Sequence, residues 1–391
     1  MVGGSVAAGG GMSRARTILV TGGAGFIGRH LVPVIADVAS RIVVVDNLLE
    51  QVHGPDASFP RDVAALAQCV RGDVRDRDLW DAVGTRYPDI DVVIHLAALT
   101  GTGQSMTEVA EYLDVNGRGT AVMLAALRSG AFRSVRQVVL ASTRAVYGEG
   151  DYRCPAECVT RRPGPRDTEQ CRLGRWAPTC ESCGVELVPV PTREDSPLRP
   201  ASVYGVTKLA QEGLVETAVG ASLAATILRF QNVYGPEQSL RNPYTGVLGV
   251  FHSRIMRGEP IELFEDGLIS RDFVSWVDVV RAVRESVVRR AAGTFNVGSG
   301  SFVPIGDVAR LMCRLLGRHV PVRATGFFRA GDIRHAAADI SRARAALGYE
   351  PSVGIEEGMA EYVRWVRGQP PMPSELSAKS RHSTNDATGL P

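Results

Sequence analysis

A tyrosine and a lysine four positions apart, Tyr204 and Lys208, are the residues of this chain best suited to proton-transfer chemistry. The apolar spacing around them predicts a helix over residues 202–219, and positions i and i+4 share one face of a helix. A free phenol has a pKa of about 10 and is a weak base at neutral pH. A lysine ammonium beside it favours the phenolate. The pair could therefore remove the proton of an alcohol while hydride leaves the same carbon.

Three glycines near the start of the chain, Gly22, Gly25 and Gly28, predict a dinucleotide site. They lie where a short apolar run gives way to a helical pattern over residues 25–38. Glycine at such a turn lets a pyrophosphate approach the backbone, and the helix N-terminus supplies N–H donors. Asp46 ends the next predicted strand, where a carboxylate accepts hydrogen bonds from the adenosine ribose and repels a 2′-phosphate. The pattern favours NAD over NADP, and an oxidised nicotinamide would also favour a phenolate beside it.

Residues after the next two predicted strands complete the expected NAD site. Asp73 and Val74 are expected to frame the adenine. The cofactor is expected to pass over the side chains that follow the fourth strand, which are Leu96, Ala97 and Ala98. His95 precedes that loop, so we interpret it as a structural histidine rather than a catalytic base.

The elements that must position these residues alternate along the chain. Apolar, β-branched runs predict strands at residues 17–21, 41–46, 68–73, 91–98, 137–142 and 225–230. Helices are predicted over residues 106–128, 275–290, 305–316 and 355–366. Strands without polar alternation suit a parallel sheet covered by helices on both faces. The expected fold is α/β, with a Rossmann-type doubly wound parallel sheet and a smaller C-terminal substrate-binding lobe.

Composition places only broad limits on function. The 391 residues carry a formal net charge of +2, which gives no reason to expect nucleic acid or a membrane as partner. Without an apolar run long enough for a signal peptide or a membrane span, a cytoplasmic protein is expected. We expect the chain to divide into six parts. They are a disordered N-terminus (1–15), an NAD-binding part (16–150), a Cys-rich insertion (151–192), a catalytic helix with the last Rossmann strands (193–235), a substrate lobe (236–368) and a disordered tail (369–391).

Five cysteines lie within the insertion, at Cys154, Cys158, Cys171, Cys180 and Cys183. The pair Cys180 and Cys183 is followed by glycine, as in a metal-binding knuckle, and Cys154 with Cys158 is a less regular partner. In a reducing cytoplasm such clusters bind metal more often than they form disulfides. Four thiolates would make a closed, structural zinc (Zn²⁺) site and supply folding energy to a stretch too polar to hold a core. Cys171 is either the thiol left over or a ligand in place of Cys158. Two alternatives to a zinc site stay open, an insertion that binds no metal and one whose thiols are redox-active.

Taken together, residues 16–367 resemble the extended short-chain dehydrogenase/reductase superfamily, and within it the NAD-dependent sugar epimerase/dehydratase family. The matching motifs lie at residues 17–28, 46–48, 95–98, 116–120, 147–148 and 232–236. The resemblance implies tightly bound NAD, with contacts also from Phe26, Ile27, Asn47 and Asn116. It also implies a homodimer, in which the helices predicted at residues 106–128 and 202–219 pair with their copies.

The resemblance assigns catalytic and substrate-binding roles as well. A Ser or Thr four residues before the tyrosine of the family's Tyr-Gly motif hydrogen-bonds the reacting hydroxyl, and that position is Thr143. The family's catalytic tyrosine and lysine fall on Tyr204 and Lys208. Arg271 and Arg329 are implied to hold the diphosphate of a nucleotide sugar. Asn232 is implied to lie near its phosphates, and Asp332 to reach its ribose.

The residues after Thr143 narrow the reaction that the resemblance implies. The family's 4,6-dehydratases carry an acid and a base there, where this chain has Arg144 and Ala145. Elimination of water is then disfavoured, which leaves 4-epimerisation: hydride passes to NAD, the 4-keto sugar turns over, and hydride returns to its other face. The insertion and residues 242–247 and 264–273 are most similar to bacterial dTDP-L-rhamnose-type 4-epimerases, so a dTDP-6-deoxyhexose is expected.

Two other functions stay open at this point. One is an NAD(P)H-dependent 4-ketoreductase of a nucleotide-linked 4-keto-6-deoxy sugar, with a dTDP- or UDP-linked substrate. The other is a non-catalytic nucleotide sensor in which a zinc ribbon and its flanking arginines bind nucleic acid. The intact set of Thr143, Tyr204 and Lys208 argues against a sensor, and the arginines of the insertion alternate with acids.

Overall fold

The structure is a computed structural model that describes residues 16–219, 223–240, 246–329 and 331–369. The expectations of disorder for residues 1–15 and 370–391, and most of the motif at residues 242–247, lie outside this part of the chain. Among the described residues, seven parallel strands form the central sheet. They are β1 (Arg16–Thr21), β2 (Ala39–Asp46), β3 (Gln68–Arg71), β4 (Ile90–His95), β5 (Gln137–Thr143), β6 (Ala224–Phe230) and β7 (Gly293–Val297).

The strand order of this sheet is β7-β6-β5-β4-β1-β2-β3. The chain reverses direction across the sheet between β1 and β4, and ligands of doubly wound folds bind at the carboxyl ends of the strands beside such a switch point. The Rossmann-type prediction is confirmed. The edge strand β7 was not predicted, because glycine, threonine and asparagine break up its apolar pattern.

Helices of the described residues cover both faces of the sheet. The first nine are α1 (Phe26–Ile35), α2 (Glu50–His53), α3 (Arg61–Leu66), α4 (Arg77–Arg86), α5 (Thr102–Ser105), α6 (Val109–Tyr112), α7 (Gly119–Leu127), α8 (Thr168–Arg172) and α9 (Val203–Val219). Along β1, Ile18 and Val20 enter one apolar core, and Leu19 enters the other. Burial of each such side chain stabilises the fold by about 1.5–3 kcal/mol.

The helix predicted over residues 106–128 is present from Val109 to Leu127, with one irregular turn. The structure has α6, a π-helical turn over Leu113–Arg118, and α7 in unbroken succession. The wide turn places the amide of Asn116 against Leu99 and Thr207, with contacts of 2.8–3.1 Å. The sequence periodicity did not reveal this wide turn, because the apolar spacing continues through it.

The C-terminal part forms a smaller lobe with its own apolar core. Its helices are α10 (Val247–Arg257), α12 (Ile305–Leu316) and α14 (Ile355–Val366). Two further helices of this part of the chain, α11 (Trp276–Val288) and α13 (Ser341–Leu347), pack on the central sheet. Phe251, Met312 and Tyr362 meet in the core between α10, α12 and α14. Short strands complete the lobe in three pairs: Asn232–Tyr234 with Phe273–Ser275, Ile261–Leu263 with Val322–Ala324, and Ser270–Arg271 with Val303–Pro304.

The cysteine-rich insertion is folded, which corrects the expectation that it could not hold a core. Strands Tyr152–Arg153, Thr160–Arg161 and Val188–Pro189 form a three-stranded sheet. The buried side chains of Tyr152, Cys154, Cys180 and Leu187 form a core of their own. This core is small, so a cross-link between its sulfur atoms would still add stability.

No helix in the described part of the chain has the length and apolar character required to cross a membrane.

Candidate active site and cysteine cluster

The glycine turn between β1 and α1 leaves room for an anion. Gly22 has a φ of 71°, and a Cβ there would lie 2.7 Å from the backbone N of Ala97. A Cβ on Gly28 would lie 2.5 Å from the carbonyl oxygen of Gly22, so this helix can approach the turn only without a side chain. Gly25, the N-cap of α1, supplies no side-chain acceptor, so the N–H groups of the first turn remain available as donors. These features fit the pyrophosphate of NAD, with Phe26 and Ile27 in that first turn.

Asp46 lies at the carboxyl end of β2, beside this turn. Its Oδ2 accepts a hydrogen bond from the N–H of Ala24 at 3.0 Å, and its Oδ1 from the N–H of Leu48 at 2.9 Å. An ionised carboxylate accepts about four hydrogen bonds, so two positions remain for ribose hydroxyls. The adjacent Asn47 donates to Asp73 at 3.1 Å, which joins the ends of β2 and β3.

Asp73 is held in place by a neighbouring arginine. The backbone N and Nε of Arg75 each donate to its Oδ1 at 2.9 Å. Burial alone would raise the pKa of Asp73, but the hydrogen bonds from Arg75 and Asn47 keep it below its usual range. Val74 is buried beside it. The ionised pair gives a fixed wall to the cavity where adenine is expected.

His95 and Asn116 form buried hydrogen bonds around the loop that follows β4. The imidazole of His95 lies 2.7 Å from the hydroxyl of Thr21 and 3.0 Å from that of Thr120, and burial lowers its pKa to about 3. This neutral, satisfied imidazole agrees with the interpretation of His95 as structural. The amide of Asn116 is fully buried and bonded to Leu99 and Thr207, so it positions the loop of Leu96, Ala97 and Ala98 rather than presenting a free group to a cofactor.

Thr143, Tyr204 and Lys208 meet at the carboxyl end of β5. Thr143 ends this strand and caps the short turn after it, accepting from the N–H of Ala145 at 3.2 Å. Tyr204 lies in the first turn of α9, where its own N–H is held by Ser105 at 3.0 Å. Burial raises the pKa of Tyr204 to about 12, although a hydrogen bond with Thr143 acts in the opposite direction. The three side chains that the sequence placed on separate elements therefore share one site.

The cation that acts on Tyr204 is not the expected one. Arg144 is the charged group that lowers the pKa of Tyr204, and Lys208 donates to a carbonyl oxygen of β5 instead. Burial and Arg271 lower the pKa of Arg144 itself, with Asp332 acting in the opposite direction. A guanidinium stays charged in spite of such a shift. Sequence reasoning treated Arg144 only as the absence of an acid and missed that it faces this site.

The implied diphosphate-binding residues also come together. Arg271 is buried, and its Nη2 donates to Oδ1 of Asp332 at 2.8 Å and to the carbonyl oxygen of Ile333 at 3.0 Å. The guanidinium of Arg329 lies over the ring of Phe264, 4.5 Å from its centroid. Burial alone would raise the pKa of Asp332, but Arg271, Arg329, Arg144 and Arg166 together hold it below its usual range.

Asn232 opens the short strand between the sheet and this group. Its N–H donates to the carbonyl oxygen of Asp272 at 2.9 Å, and its side chain is half-buried. The preceding Gln231 is buried, and its Oε1 has no hydrogen-bond partner among the described residues. The surplus of guanidinium groups over carboxylates here would suit a diphosphate.

Three of the four predicted metal-ligating cysteines form a cluster. The sulfur atoms of Cys154, Cys180 and Cys183 lie within 4.8 Å of one another, and those of Cys154 and Cys183 are 3.6 Å apart. Cys158 is exposed, and its thiol faces the carbonyl oxygen of Pro155 at 3.8 Å, so the structure does not place it as the fourth ligand. Cys171 is buried outside this cluster, beside Arg166.

The chemistry of the cluster suits a soft divalent metal. A hydrogen bond from Arg161 lowers the pKa of the Cys180 thiol to about 6, which favours its thiolate form. Thiolates are the metal-binding form of cysteine. Three of them at this spacing fit zinc, which takes a fourth ligand in a tetrahedral site.

Three arginines of the insertion pair with acids of the chain itself. Arg161 pairs with Glu157, and Arg162 contacts Asp151 at 3.0 Å. Arg172 pairs with Glu169 in the same way. Guanidinium groups neutralised by neighbouring carboxylates make a poor surface for phosphate backbones. The nucleic-acid-binding alternative therefore finds no support in these contacts.

The sequence profile of the NAD dependent epimerase/dehydratase family matches residues 18–170 and 177–298. The chain is 40% identical over 354 residues to dTDP-L-rhamnose 4-epimerase of Burkholderia thailandensis, covering 90% of this chain and 95% of that protein. This chain belongs to the NAD-dependent epimerase/dehydratase family. A putative UDP-glucose 4-epimerase of Methanocaldococcus jannaschii is a more distant member, 27% identical over 90% of this chain and 98% of its own length.

Solved structures of epimerase/dehydratase family proteins share the fold. MoeE5 in complex with UDP-glucuronic acid and NAD superposes with a TM-score of 0.69 at 31% identity, over 90% of this chain and 99% of its own. The UDP-glucose 4-epimerase of Thermotoga maritima, with UDP-glucose, gives 0.70 at 28% identity, over 90% and 98%.

Proposed function

We propose that this chain is an NAD-dependent nucleotide-sugar 4-epimerase that acts on a dTDP-linked 6-deoxyhexose. The main observation behind the proposal is the arrangement around Tyr204, which shares its site with Thr143 and Arg144. A phenol base is present, but the acid and base needed to eliminate water are replaced by Arg144 and Ala145. The 40% identity to a dTDP-L-rhamnose 4-epimerase supports the choice of a dTDP-6-deoxy sugar.

Each of the three proposed catalytic residues has a distinct task. Thr143 hydrogen-bonds the C4 hydroxyl and shares it with the phenol of Tyr204. Tyr204, as phenolate, takes the hydroxyl proton when C4 is oxidised and returns it when the 4-keto group is reduced from the other face. Lys208 fixes α9 to the end of β5 through its hydrogen bond, and in its protonated form it would add positive charge beside the phenolate. NAD, when bound, would accept the C4 hydride and give it back.

The nucleotide part of the substrate is proposed to lie between the sheet and the lobe. Arg271 and Arg329 would contact the diphosphate, Asn232 would lie beside it, and Asp332 would reach the ribose. Binding of a diphosphate would add negative charge to a group in which Arg144, Arg271 and Arg329 outnumber the nearby carboxylates of Asp332 and Glu149. This charge excess would draw a nucleotide diphosphate into the site.

The deciding experiment incubates the purified protein with dTDP-L-rhamnose, UDP-glucose and UDP-glucuronic acid without added cofactor. NMR of the recovered sugars should show formation of the C4 epimer of the dTDP-sugar, with deuterium placed at C4 retained at that carbon. Formation of a 4-keto sugar only when NAD⁺ is added, with one NADH released for each sugar oxidised, would identify the ketoreductase alternative. Loss of the C4 deuterium to solvent would exclude a hydride that leaves and returns.

We also propose that the cysteine cluster holds one structural zinc ion. Cys154, Cys180 and Cys183 would supply three thiolates. The remaining position would be filled by Cys158, which lies on the same loop as Cys154, after rotation of its side chain. The small core of the insertion supports this proposal. Because only a few buried side chains hold its three strands together, a bound metal would add stability there.

A homodimer is proposed through the face formed by α6, the π-helical turn and α9. An apolar groove of about 880 Å³ runs between these elements and is lined by small and aliphatic residues, among them Ala110, Leu113, Gly117, Ala210 and Leu214. Leu113 is 56% exposed and Val206 is 52% exposed on the same helices. A second copy of α6 and α9 would cover these side chains in a four-helix contact.

A further inference from the structure

One side chain of the insertion, that of Arg166, reaches into the proposed nucleotide-sugar site. It is only 6% exposed although it belongs to a surface loop. Its Nε and Nη2 donate to the backbone carbonyl oxygen of Asp332, at 3.2 and 2.7 Å. Arg271 holds the carboxylate of the same residue. Asp332 is therefore held at its carbonyl by the insertion and at its carboxylate by the lobe.

The same guanidinium joins two further parts of the chain. Its Nε lies 3.0 Å from the carboxylate of Glu149, which follows the end of β5 closely, and its Nη1 lies 2.7 Å from that of Glu265 in the lobe. Both carboxylates are almost fully buried. Removal of Arg166 would leave two buried negative charges near each other with weaker compensation, and breaking such a pair is strongly unfavourable. Arg334 also pairs with Glu265, at 2.7 Å, so the network extends along the backbone next to Asp332.

An aromatic contact places the insertion against the same segment. The ring of Trp176 packs at 6.0 Å from that of Phe328, next to Arg329 in the sequence. The carbonyl oxygen of Trp176 accepts from Nη1 of Arg166 at 3.4 Å. Trp176 and Arg166 thus act as one unit of the insertion, which touches Phe328 and Asp332, before and after Arg329 in the sequence.

We propose that Arg166 is a positioning residue, through which the cysteine-rich insertion sets the placement of Asp332 and, with it, of Arg271 and Arg329 for a nucleoside diphosphate. The inference rests on the proposed substrate class. According to this inference, the insertion contributes to substrate binding and is not a separate binding module. The folded state of the cysteine cluster then affects how tightly the nucleotide is held, because Arg166 lies between the two knuckles in the sequence.

The test measures binding of dTDP and of UDP to the NAD-loaded protein by calorimetry. Arg166→Ala should weaken the binding of the better of the two by about tenfold or more, while its NAD content and zinc content stay at the wild-type level. Arg166→Lys keeps the positive charge between Glu149 and Glu265 but cannot bond both carboxylates and the carbonyl, so an intermediate loss is expected. Guanidinium ion added at low concentration should recover part of the affinity of the alanine variant.

Arg175→Ala is the matched control, since this exposed arginine of the insertion donates to Gln170 within it and should leave affinity unchanged. In turnover assays, Arg166→Ala should raise KM more than it lowers kcat. If the alanine variant does not fold, the lysine variant decides the matter in the same assay. Wild-type affinity in a folded lysine or alanine variant overturns the inference. If the wild-type protein itself binds neither dTDP nor UDP, the proposed substrate class is wrong, and the inference is wrong with it.

Discussion

Lys208 donates a hydrogen bond from its ammonium group to the carbonyl oxygen of Ala141, 2.7 Å away. This contact ties α9 to β5 two residues before Thr143, and so it fixes the relative placement of Tyr204 and Thr143. The side chain of Lys208 is buried. Burial lowers its pKa to about 7, against the influence of Glu212.

This low pKa predicts a specific dependence of stability on pH. An unfolded lysine titrates near ~10.4, so between about pH 7 and pH 10 the unfolded chain holds a proton that the folded, NAD-free chain has released. Stability contributed by Lys208 therefore rises with pH in this window and falls as pH is lowered towards 7. Urea unfolding of NAD-free protein should show a gain of about 2 kcal/mol from pH 7 to pH 9 that Lys208→Met lacks. Parallel pH profiles for the two proteins would mean that Lys208 stays protonated.

Replacement of the proposed base should stop chemistry without emptying the cofactor site. Tyr204→Phe removes the phenol oxygen but keeps the ring, and kcat should fall by about 10²–10⁴-fold, because proton transfer to a positioned group contributes this much. NAD content after purification should be unchanged. Tyr87→Phe, the same change after α4, serves as the control and should keep full activity. Near-normal turnover of Tyr204→Phe would refute the assignment.

Arg144 is expected to tune the pH optimum of the reaction. Its guanidinium lowers the pKa of Tyr204, so its loss should raise that pKa further and move the acidic limb of the kcat profile to higher pH. The measurement is kcat against pH for wild type, Arg144→Ala and Arg144→Lys. The lysine variant keeps the charge and should lie between the other two. An unshifted limb in Arg144→Ala would show that another cation controls the phenol.

The zinc content of cysteine variants should depend on whether the replaced cysteine belongs to the sulfur cluster, and not on how many cysteines remain. Metal analysis of the purified chain should find about one zinc per chain. Cys180→Ser removes a sulfur from the centre of the cluster and should lose the metal. Cys171→Ser changes a buried thiol outside the cluster and should retain it. A metal-free wild-type protein with an ordered insertion would contradict the zinc site.

A charge placed in the groove between α6 and α9 should separate the subunits. Leu113→Glu puts a carboxylate on a side chain that is 56% exposed in the single chain and would be covered in the proposed dimer. Sedimentation should show a dimer for wild type and a monomer for this variant. Leu66→Glu, at an exposed site on α3, is the control and should stay dimeric. A wild-type chain that sediments as a monomer at high concentration would rule out the interface.

Local patterns were enough to predict the framework of this protein. β-branched runs identified six strands of the sheet, since a parallel strand covered on both faces must be apolar along its whole length. The glycine spacing identified the turn before α1, because Gly22 and Gly28 have no room for a Cβ. The spacing of Tyr204 and Lys208 placed them on one helix face for the same local reason.

Long-range contacts decided the rest. Only the packed chain shows that Cys158 lies outside the sulfur cluster, because ligand spacing in sequence does not fix side-chain direction. Likewise, Arg166 and Asp332 are separated by 166 positions, and no pattern within either segment signals that they meet. The amino-acid sequence alone thus determined the doubly wound sheet and the types of group at its carboxyl edge. The tertiary structure decided which charges face those groups, since burial and neighbours from distant segments set their pKa values and hydrogen bonds.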